Sequence, residues 1–142
     1  MARPFLQRLT RFTDQLRLKP QRRSSTGARG ERAAAGMLKR AGYRIMARNL
    51  RNRFGEIDLI ALAPDRRTIA IVEVKTAEAG DALPELRVDQ HKQRRLTALA
   101  AQAVRRYKLH DRPIRFDVIA VNLPPDAEPI IRHYPAAFES IV

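Results

Sequence analysis

The sequence contains no cysteine among its 142 residues, and this absence limits the chemistry that the protein can support. Disulfide bonds and thiolate metal sites are both excluded. Any bound metal must therefore be held by carboxylates, which favours a hard cation such as Mg²⁺ or Mn²⁺. The absence of cysteine also fits a cytoplasmic protein, and we expect that localisation.

Long apolar segments are missing as well. No run approaches the ~20 apolar residues that span a bilayer, and the first residues contain no apolar core of a secretory signal. We therefore expect no membrane partner. The chain also lacks a grouping of serine, histidine and acid, a glycine-rich phosphate loop and a Cys/His metal set. The three histidines, His91, His110 and His133, are scattered, and we expect them to be surface or packing residues.

Acidic residues are scarce relative to basic ones. The chain has 28 Lys and Arg against 15 Asp and Glu, which gives a net charge of +13 and a pI near 11.4. Such an excess predicts a polyanionic partner, most simply nucleic acid, with an anionic membrane surface as the second choice. The length is that of one domain with a single core.

A basic extension over residues 1–26 precedes the domain that we expect over residues 27–142. Apolar residues recur in the extension at helical spacing from Phe5 to Leu16, among many arginines. Two interpretations stay open. The segment is either an amphipathic helix that contacts nucleic acid or a membrane, or a solvated and frayed extension.

The remaining pattern predicts an α/β fold in which helices flank a mixed central sheet. A helix between two strands of one sheet favours a parallel relation between those strands. Glu31 would lie in the first turn of the first helix, where its charge interacts well with the helix dipole. The expected elements are a helix from about Ala28 to before Gly42, an edge strand over 43–49, strands over 55–61 and 70–76, a loop over 77–86, a helix over 89–108, strands over 114–121 and 130–134, and a terminal helical turn over 135–141.

Two short strands, 55–61 and 70–76, carry charges where an apolar core strand should have none. The turn-forming segment 64–67 between them is short enough for a hairpin. Because residues two apart share a face of a strand, Glu56 should point the same way as Asp58, and Glu73 the same way as Lys75. Buried charges are costly unless they are paired or bind a metal, so these side chains require a partner.

Asp58 and Glu73 would lie within ~5 Å of each other on adjacent strands. Two carboxylates that close repel each other, and a divalent cation would remove the repulsion by using both as ligands. Lys75 could then orient the attacking water or stabilise phosphate oxygens during phosphodiester hydrolysis. The alternative is that Glu73 and Lys75 form an ordinary ion pair on a half-exposed strand, with Asp58 solvated beside them.

The run Gly-Glu-Ile-Asp-Leu-Ile-Ala followed by Val-Glu-Val-Lys closely resembles the PD-(D/E)xK nuclease signature. More narrowly, the chain resembles the YraN-like family of predicted bacterial endonucleases over about residues 27–140. Several further motifs agree with that family in order and spacing: Gly-x-x-Gly-Glu-x-x-Ala at 27–34, Gly-Tyr at 42–43, Arg-Asn at 48–49, Lys-Gln-x-Arg-Leu at 92–96 and Arg-Phe-Asp-Val at 115–118.

The resemblance implies a restriction-endonuclease-like core similar to archaeal Holliday-junction resolvases. It assigns catalysis to Glu31, Asp58, Glu73 and Lys75, and the three carboxylates among them would hold Mg²⁺ or Mn²⁺. It assigns auxiliary roles to Glu56, Gln90 and Lys92. The arginines expected to contact nucleic acid are Arg48, Arg51, Arg53, Arg94 and Arg95. The chain departs from the family at Thr76, where an arginine is common after the lysine, and we expect a weaker phosphate contact there.

The function that these patterns favour is a metal-dependent DNA endonuclease, with a preference for branched DNA as one expectation. Analogy with junction resolvases, which act as symmetric dimers, adds a homodimer as a further expectation. Two other classes of function stay open. One is a nucleic-acid-binding module that keeps the fold without turnover, and the other is an assembly partner of a DNA-processing complex that uses residues 1–26 as its handle.

Overall fold

In the part of the chain that the structure describes, a six-stranded sheet has a helix on each face. The computed structural model describes residues 19–20, 25–53, 55–78, 88–107 and 110–139. The elements are β1 Lys19–Pro20, α1 Ser25–Arg40, β2 Arg44–Asn52, β3 Gly55–Leu62, β4 Ile69–Glu78, α2 Gln90–Tyr107, β5 Ile114–Leu123 and β6 Ile130–Phe138. Within these ranges, no helix has the length and apolar character needed to cross a membrane.

The strands lie in the sheet in the order in which they occur in the chain. Every neighbouring pair is antiparallel except β4 and β5, which are parallel. Parallel neighbours cannot be joined by a tight turn, and α2 lies in the crossover between them. The predicted mixed α/β sheet and the predicted parallel pair are both confirmed.

The two helices cover opposite faces of the sheet, so the central strands are apolar on both sides. The face under α1 is packed by Ala34, Ala35, Leu38, Leu59, Ala61, Ala70, Val72, Ile119, Val121 and Leu123. The face under α2 is packed by Ile57, Ile60, Leu62, Ile69, Ile71, Leu96, Leu99, Ala100 and Phe116. A charged side chain on a central strand therefore points toward one of these two apolar clusters or lies at its edge.

Helix α1 starts earlier than the sequence indicated and ends where it predicted. It begins at Ser25, so Glu31 is in its second turn and the expected interaction with the dipole of the first turn is wrong. At the other end, Gly42 has a positive φ of 92°. Its N–H donates to Lys39, and the next N–H, from Tyr43, donates to Leu38. This pattern is a Schellman stop that favours glycine.

The turn between β3 and β4 is the predicted hairpin turn. One carboxylate oxygen of Asp65 accepts the backbone N–H groups of Arg67 and Thr68, and the other accepts the Thr68 hydroxyl. These hydrogen bonds, led by those of Thr68, lower the pKa of Asp65 to about 2. The side chain thus closes the turn in the manner of an Asx turn.

Three predicted boundaries are wrong. Strand β2 continues to Asn52 and pairs there with β1, so that end of it is not an edge. Strand β4 continues through Glu78, where a loop was expected, and residues 79–87 lie outside the described ranges. The third error is at the C-terminal end of the chain, where residues 135–138 belong to β6 rather than to a helical turn. Most of the basic extension, residues 1–18 and 21–24, also lies outside the described part of the chain, as do residues 140–142.

Strand β6 accommodates Pro135 because a bulge in it lies opposite Asp117. The register shifts from Phe116–Phe138 to Val118–Tyr134, which leaves the residues around Pro135 outside regular pairing. Proline lacks an N–H and is tolerated at such bulges. The next residue, Ala136, has a positive φ of 53°, and its N–H donates to Asp117 Oδ1 at 3.0 Å.

Asp117 is the centre of a buried polar cluster beneath this bulge. Its side chain is fully buried, with 0% of the residue exposed. Arg115 donates to both of its oxygens at 2.8 Å, and His133 Nε2 lies 2.8 Å from Oδ2. Arg115 also donates to the Tyr43 hydroxyl. The cluster therefore ties β5 and β6 to the start of β2, and it explains His133 as a packing residue, as the sequence predicted.

The Asp117 cluster predicts a loss of stability at acidic pH. Burial raises the pKa of Asp117, but hydrogen bonds from His133, Arg115 and Ala136 outweigh burial and hold it below the ordinary value of 3.8. A carboxylate with a lowered pKa stabilises the fold above its unfolded-state pKa, and this contribution is lost as pH falls through the folded-state pKa. Asp117→Asn should reduce the free energy of unfolding at pH 7 by about 3 kcal/mol.

Urea unfolding of both proteins from pH 7 to pH 2 checks this prediction. The difference in stability between the wild type and Asp117→Asn should shrink as the pH falls below 3.8. Asp126→Asn, a change at an exposed carboxylate in the β5–β6 turn, is the control and should follow the wild type. A difference that stays constant over the whole range would contradict the role given to the cluster.

Candidate metal-binding and catalytic site

The ladder between β3 and β4 ends at the point where the acidic residues begin. Backbone pairing runs from Leu62–Ile69 to Leu59–Val72 and stops there. Beyond it, Asp58 Oδ2 accepts the backbone N–H of Val74 at 2.8 Å. The carboxylate thus replaces a backbone carbonyl as the acceptor and lies between the two separating strands.

The regular alternation of β3 is interrupted at Asp58. Ile57 and Ile60, three residues apart, pack in the same core cluster, which a strand with strict alternation does not allow. On the neighbouring strand β2, Asn49 has a positive φ of 51°, and the pairs on either side of it are Arg48–Leu59 and Leu50–Ile57. Strict alternation therefore does not hold between Ile57 and Ile60, and the shared face of Glu56 and Asp58 stays a prediction.

Glu73 and Lys75 share the face of β4 that α2 covers, as predicted. The neighbouring Val74 packs against the core cluster under α1, on the opposite face. Thr76 also contacts α1, because its side chain closely approaches Gly30. Alternation along β4 then directs Glu73 and Lys75 toward the α2 side.

The ion pair of Glu73 is formed with Lys92 on α2 rather than with Lys75. Lys92 Nζ lies 2.6 Å from Glu73 Oε1, and the two side chains are 35% and 8% exposed. The alternative in which Glu73 and Lys75 pair on a half-exposed strand is therefore not the arrangement observed. Asp58 is not solvated either, since only 2% of it is exposed.

Burial and the neighbouring Asp58 carboxylate together shift the protonation of Glu73. Burial raises the pKa of Glu73, and the neighbouring Asp58 raises it further, to about 7, against the opposing effect of Lys92. For Lys92, burial acts to lower the pKa, but attraction to Glu73, Asp58 and Glu56 outweighs it and raises the pKa. Three acidic side chains therefore attract the single ammonium group of Lys92.

Asp89 fixes the first turn of α2, and with it the position of Lys92. Its Oδ1 accepts the backbone N–H of Lys92 at 2.8 Å, and its carbonyl accepts the N–H of Gln93 at 3.0 Å. Hydrogen bonding to the backbone of Lys92 is the main cause that lowers the pKa of Asp89. Asp89 is therefore an N-cap. No role was predicted for Asp89, although an aspartate directly before an apolar helical pattern is a signal for such a cap.

Not all predicted site residues come together. Among the described residues, no three His, Asp or Glu side chains lie close enough to hold one metal ion. Glu31 is buried on α1, the helix on the opposite face of the sheet from Lys92. Its role as a third metal ligand stays a prediction. Gln90 is exposed as the first residue of α2.

The fork is the place beyond the Leu59–Val72 pair where β3 and β4 separate, and it carries Asp58 and Glu73. Its oxygen ligands fit a hard divalent cation. Asp58 and Glu73 supply carboxylate oxygens, and Mg²⁺ commonly uses one or two carboxylates while water and phosphate oxygens complete its shell. The two negative charges exceed the single positive charge that Lys92 provides. A cation would relieve the repulsion that raises the pKa of Glu73.

The arginines predicted to contact nucleic acid divide between two regions. Arg53 lies in the β2–β3 turn, two residues before Gly55. Gly55 packs closely on α2, since a Cβ added to it would lie 3.2 Å from Arg95 Cβ. Arg94 and Arg95 are exposed on α2. Arg48 is also exposed, but its register partner Leu59 packs under α1. The Arg51 side chain lies outside the described part of the chain.

The fold and the site together define a class of protein. A mixed sheet with one helix on each face, and two acids where β3 and β4 separate, is a restriction-endonuclease-like α/β core. The chain belongs to the uncharacterised protein family UPF0102, which matches residues 30–121. This match includes the candidate site and confirms the YraN-like assignment made from the motifs.

Relatives from several bacteria cover most of this chain. A UPF0102 protein of Trichlorobacter lovleyi is 44% identical over 117 residues, which span 81% of this chain and 91% of the relative. One from Geobacter sulfurreducens is 46% identical over 115 residues, or 80% and 88% of the two chains. One from Rhodopirellula baltica is 44% identical over 119 residues, or 81% and 71%. These names state a family and no activity.

Gly30 allows α1 to approach β4 directly beside Glu31. A Cβ added at Gly30 would lie 1.9 Å from Thr76 Oγ1 and 2.9 Å from Thr76 Cβ. Gly30→Ala should therefore reduce the free energy of unfolding by about 1–3 kcal/mol, as overpacking does. Thr76→Ala in the same chain should recover part of the loss, since it removes the closest atom. Urea unfolding of the single and double variants measures the coupling.

Gly36→Ala is the matched control for this prediction because it makes the same change on the same helix. There the new Cβ would meet only the end of the Arg40 side chain, at 3.4 Å. Helix propensity should make Gly36→Ala neutral or stabilising by up to about 1 kcal/mol. Equal effects of the two alanine substitutions, or a strictly additive double variant, would contradict the close contact.

Proposed function

We propose that the protein is a metal-dependent endonuclease that hydrolyses phosphodiester bonds in DNA. The observation that carries the proposal is the buried pair of Asp58 and Glu73 at the fork of β3 and β4, with Lys75 on the same face as Glu73. Burying two carboxylates side by side lowers stability, and a purely structural role does not account for it. Strained and repulsive arrangements of this kind are typical of functional sites.

In this proposal Asp58 and Glu73 hold the cation. A Mg²⁺ or Mn²⁺ ion held there would supply an activated water at neutral pH and would neutralise charge on the scissile phosphate. Asp58 is fixed by the Val74 N–H, so its carboxylate does not need to reorganise. The ammonium of Lys75 stabilises negative charge on the phosphate oxygens as the water oxygen bonds to phosphorus and the sugar oxygen leaves with a proton. Besides the DNA, the hydrolysis consumes only water.

The basic surface beside the fork supports DNA as the substrate. Exposed arginines on α2, together with Arg53 in the β2–β3 turn, lie on the side from which Lys92 reaches Glu73. Contacts of arginine with phosphates position a nucleic acid without reading its sequence. We therefore propose selection by DNA structure, with branched DNA as the first candidate, and a steep loss of affinity with salt.

A nucleic-acid-binding module without turnover is the second candidate. The observation that favours it is the Glu73–Lys92 ion pair, which partly compensates the buried charge in the absence of a metal. A module of this kind would keep the basic surface and the fold, and it would have no requirement for a divalent cation. Cleavage and its dependence on Asp58 separate the two candidates.

Asp58→Asn tests the catalytic role of the fork. The amide oxygen can still accept the Val74 N–H, so the fold should persist while the charge that holds a cation is lost. We expect cleavage to fall at least ~100-fold, in line with the loss of a group that positions and stabilises charge. DNA affinity should stay the same or increase, because a negative charge is removed. The measurement is cleavage of a four-way junction, a flap, a linear duplex and a single strand, first in Mg²⁺ and then in Mn²⁺.

Asp65→Asn is the control, because Asp65 is an exposed carboxylate in the turn at the other end of the same hairpin. It should retain full cleavage. Full cleavage by Asp58→Asn would refute the assignment of the site. No cleavage by the wild type, together with tight and salt-sensitive binding, would favour the binding module.

A further inference from the structure

The Glu73 carboxylate already has a cationic partner within the same chain. Lys92 Nζ lies 2.6 Å from Glu73 Oε1, the distance of a charge-assisted hydrogen bond. Asp58 and Glu56 also attract the ammonium of Lys92. An ammonium group of the same chain is therefore in direct contact with one of the two carboxylates that would hold a metal.

An ammonium group and a divalent cation compete for the same carboxylate. Ligation through Glu73 Oε1 would bring the cation toward Lys92 Nζ, and the repulsion between the two charges is large in a partly buried site. Together the two carboxylates carry two negative charges, which one divalent cation neutralises alone. The ammonium is then no longer needed to compensate the charge of these two carboxylates.

Lys92 is placed so that it can leave without disturbing the fold. Its side chain is 35% exposed, whereas that of Glu73 is 8% exposed. Its backbone is held independently by the Asp89 cap, which bonds the Lys92 N–H rather than the ammonium group. A rotation of the long side chain toward solvent would break the ion pair and leave the first turn of α2 intact.

We propose that Lys92 is an internal counter-ion that a divalent cation must displace from Glu73 when it binds. The inference rests on the proposed metal site and adds a mechanism by which that site is kept electrically balanced when empty. Metal affinity is then set by an exchange between two cations, and Lys92 lowers it. This is a positioning and regulatory role, distinct from contact with the scissile phosphate.

Calorimetric titration of Mn²⁺ into the full chain tests the exchange. Lys92→Met removes the ammonium and keeps the aliphatic side chain, and it should bind Mn²⁺ on the order of tenfold more tightly than the wild type, the factor expected when one charged hydrogen bond no longer has to be broken. The rise in unfolding temperature caused by Mn²⁺ should be correspondingly larger in Lys92→Met. Lys92→Gln is the second variant if Lys92→Met does not fold, and it should also tighten binding.

Arg94→Met is the matched control, because it removes one exposed positive charge from the same helix two residues away. It should leave Mn²⁺ affinity close to that of the wild type. Equal tightening by Arg94→Met and Lys92→Met would show a general charge effect and overturn the exchange. Unchanged or weaker affinity in Lys92→Met would overturn it as well.

Asp58→Ala separates a failure of this inference from a failure of the proposed function. If wild type and Asp58→Ala bind Mn²⁺ equally, the metal site itself is wrong. If binding is lost in Asp58→Ala but Lys92→Met matches the wild type, the metal site stands and the exchange does not. Binding seen only in Lys92→Met would support the exchange in its strongest form, and no binding in either the wild type or Lys92→Met would overturn both proposals.

Discussion

The repulsion between the Asp58 and Glu73 carboxylates is the constraint on which the rest of the site depends. Each lies almost fully buried, and burial and the proximity of Asp58 together raise the pKa of Glu73 to about 7. A fold tolerates such a pair only where fixed donors and a counter-charge offset it. Here the Val74 N–H holds one acid and the Lys92 ammonium holds the other.

The topology of the sheet creates the place for these two acids. The ladder between β3 and β4 ends just before Asp58, while β4 continues in parallel pairing with β5. The crossover helix α2 then lies over the face of β4 that carries Glu73, and the Asp89 cap sets where its first turn begins. On the other face, Gly30 lets α1 pack closely on Thr76, and the weaker phosphate contact expected at Thr76 stays a prediction.

Local patterns predicted most of the fold. The apolar runs of the central strands, the stop at Gly42 and the turn at Asp65 depend on neighbouring residues, so they could be read from the sequence. What could not be read depends on distant residues. Glu73 pairs with Lys92 across 19 positions, and Asp117 gathers Arg115, His133 and the Ala136 N–H. That cluster holds β6 in a bulged strand past Pro135, where local signals indicated a helical turn.

In the candidate site, too, features that depend on neighbouring residues were predictable and those that depend on distant residues were not. Motif spacing correctly predicted that Asp58 and Glu73 approach each other and that Lys75 shares a face with Glu73. It could not predict that β3 departs from alternation at Asp58, nor which lysine pairs with Glu73, because both depend on how β2 and α2 pack. Glu31 belongs to helix α1, which begins at Ser25, three residues before the predicted start at Ala28.

The central claim is that the Asp58–Glu73 fork is a metal site, and anomalous scattering from crystals grown with Mn²⁺ tests it most directly. We expect one anomalous peak in contact with both carboxylates, with the Lys92 ammonium moved away from Glu73. No anomalous peak at the fork at a Mn²⁺ concentration that saturates binding in solution, with the Glu73–Lys92 pair unchanged, would contradict it.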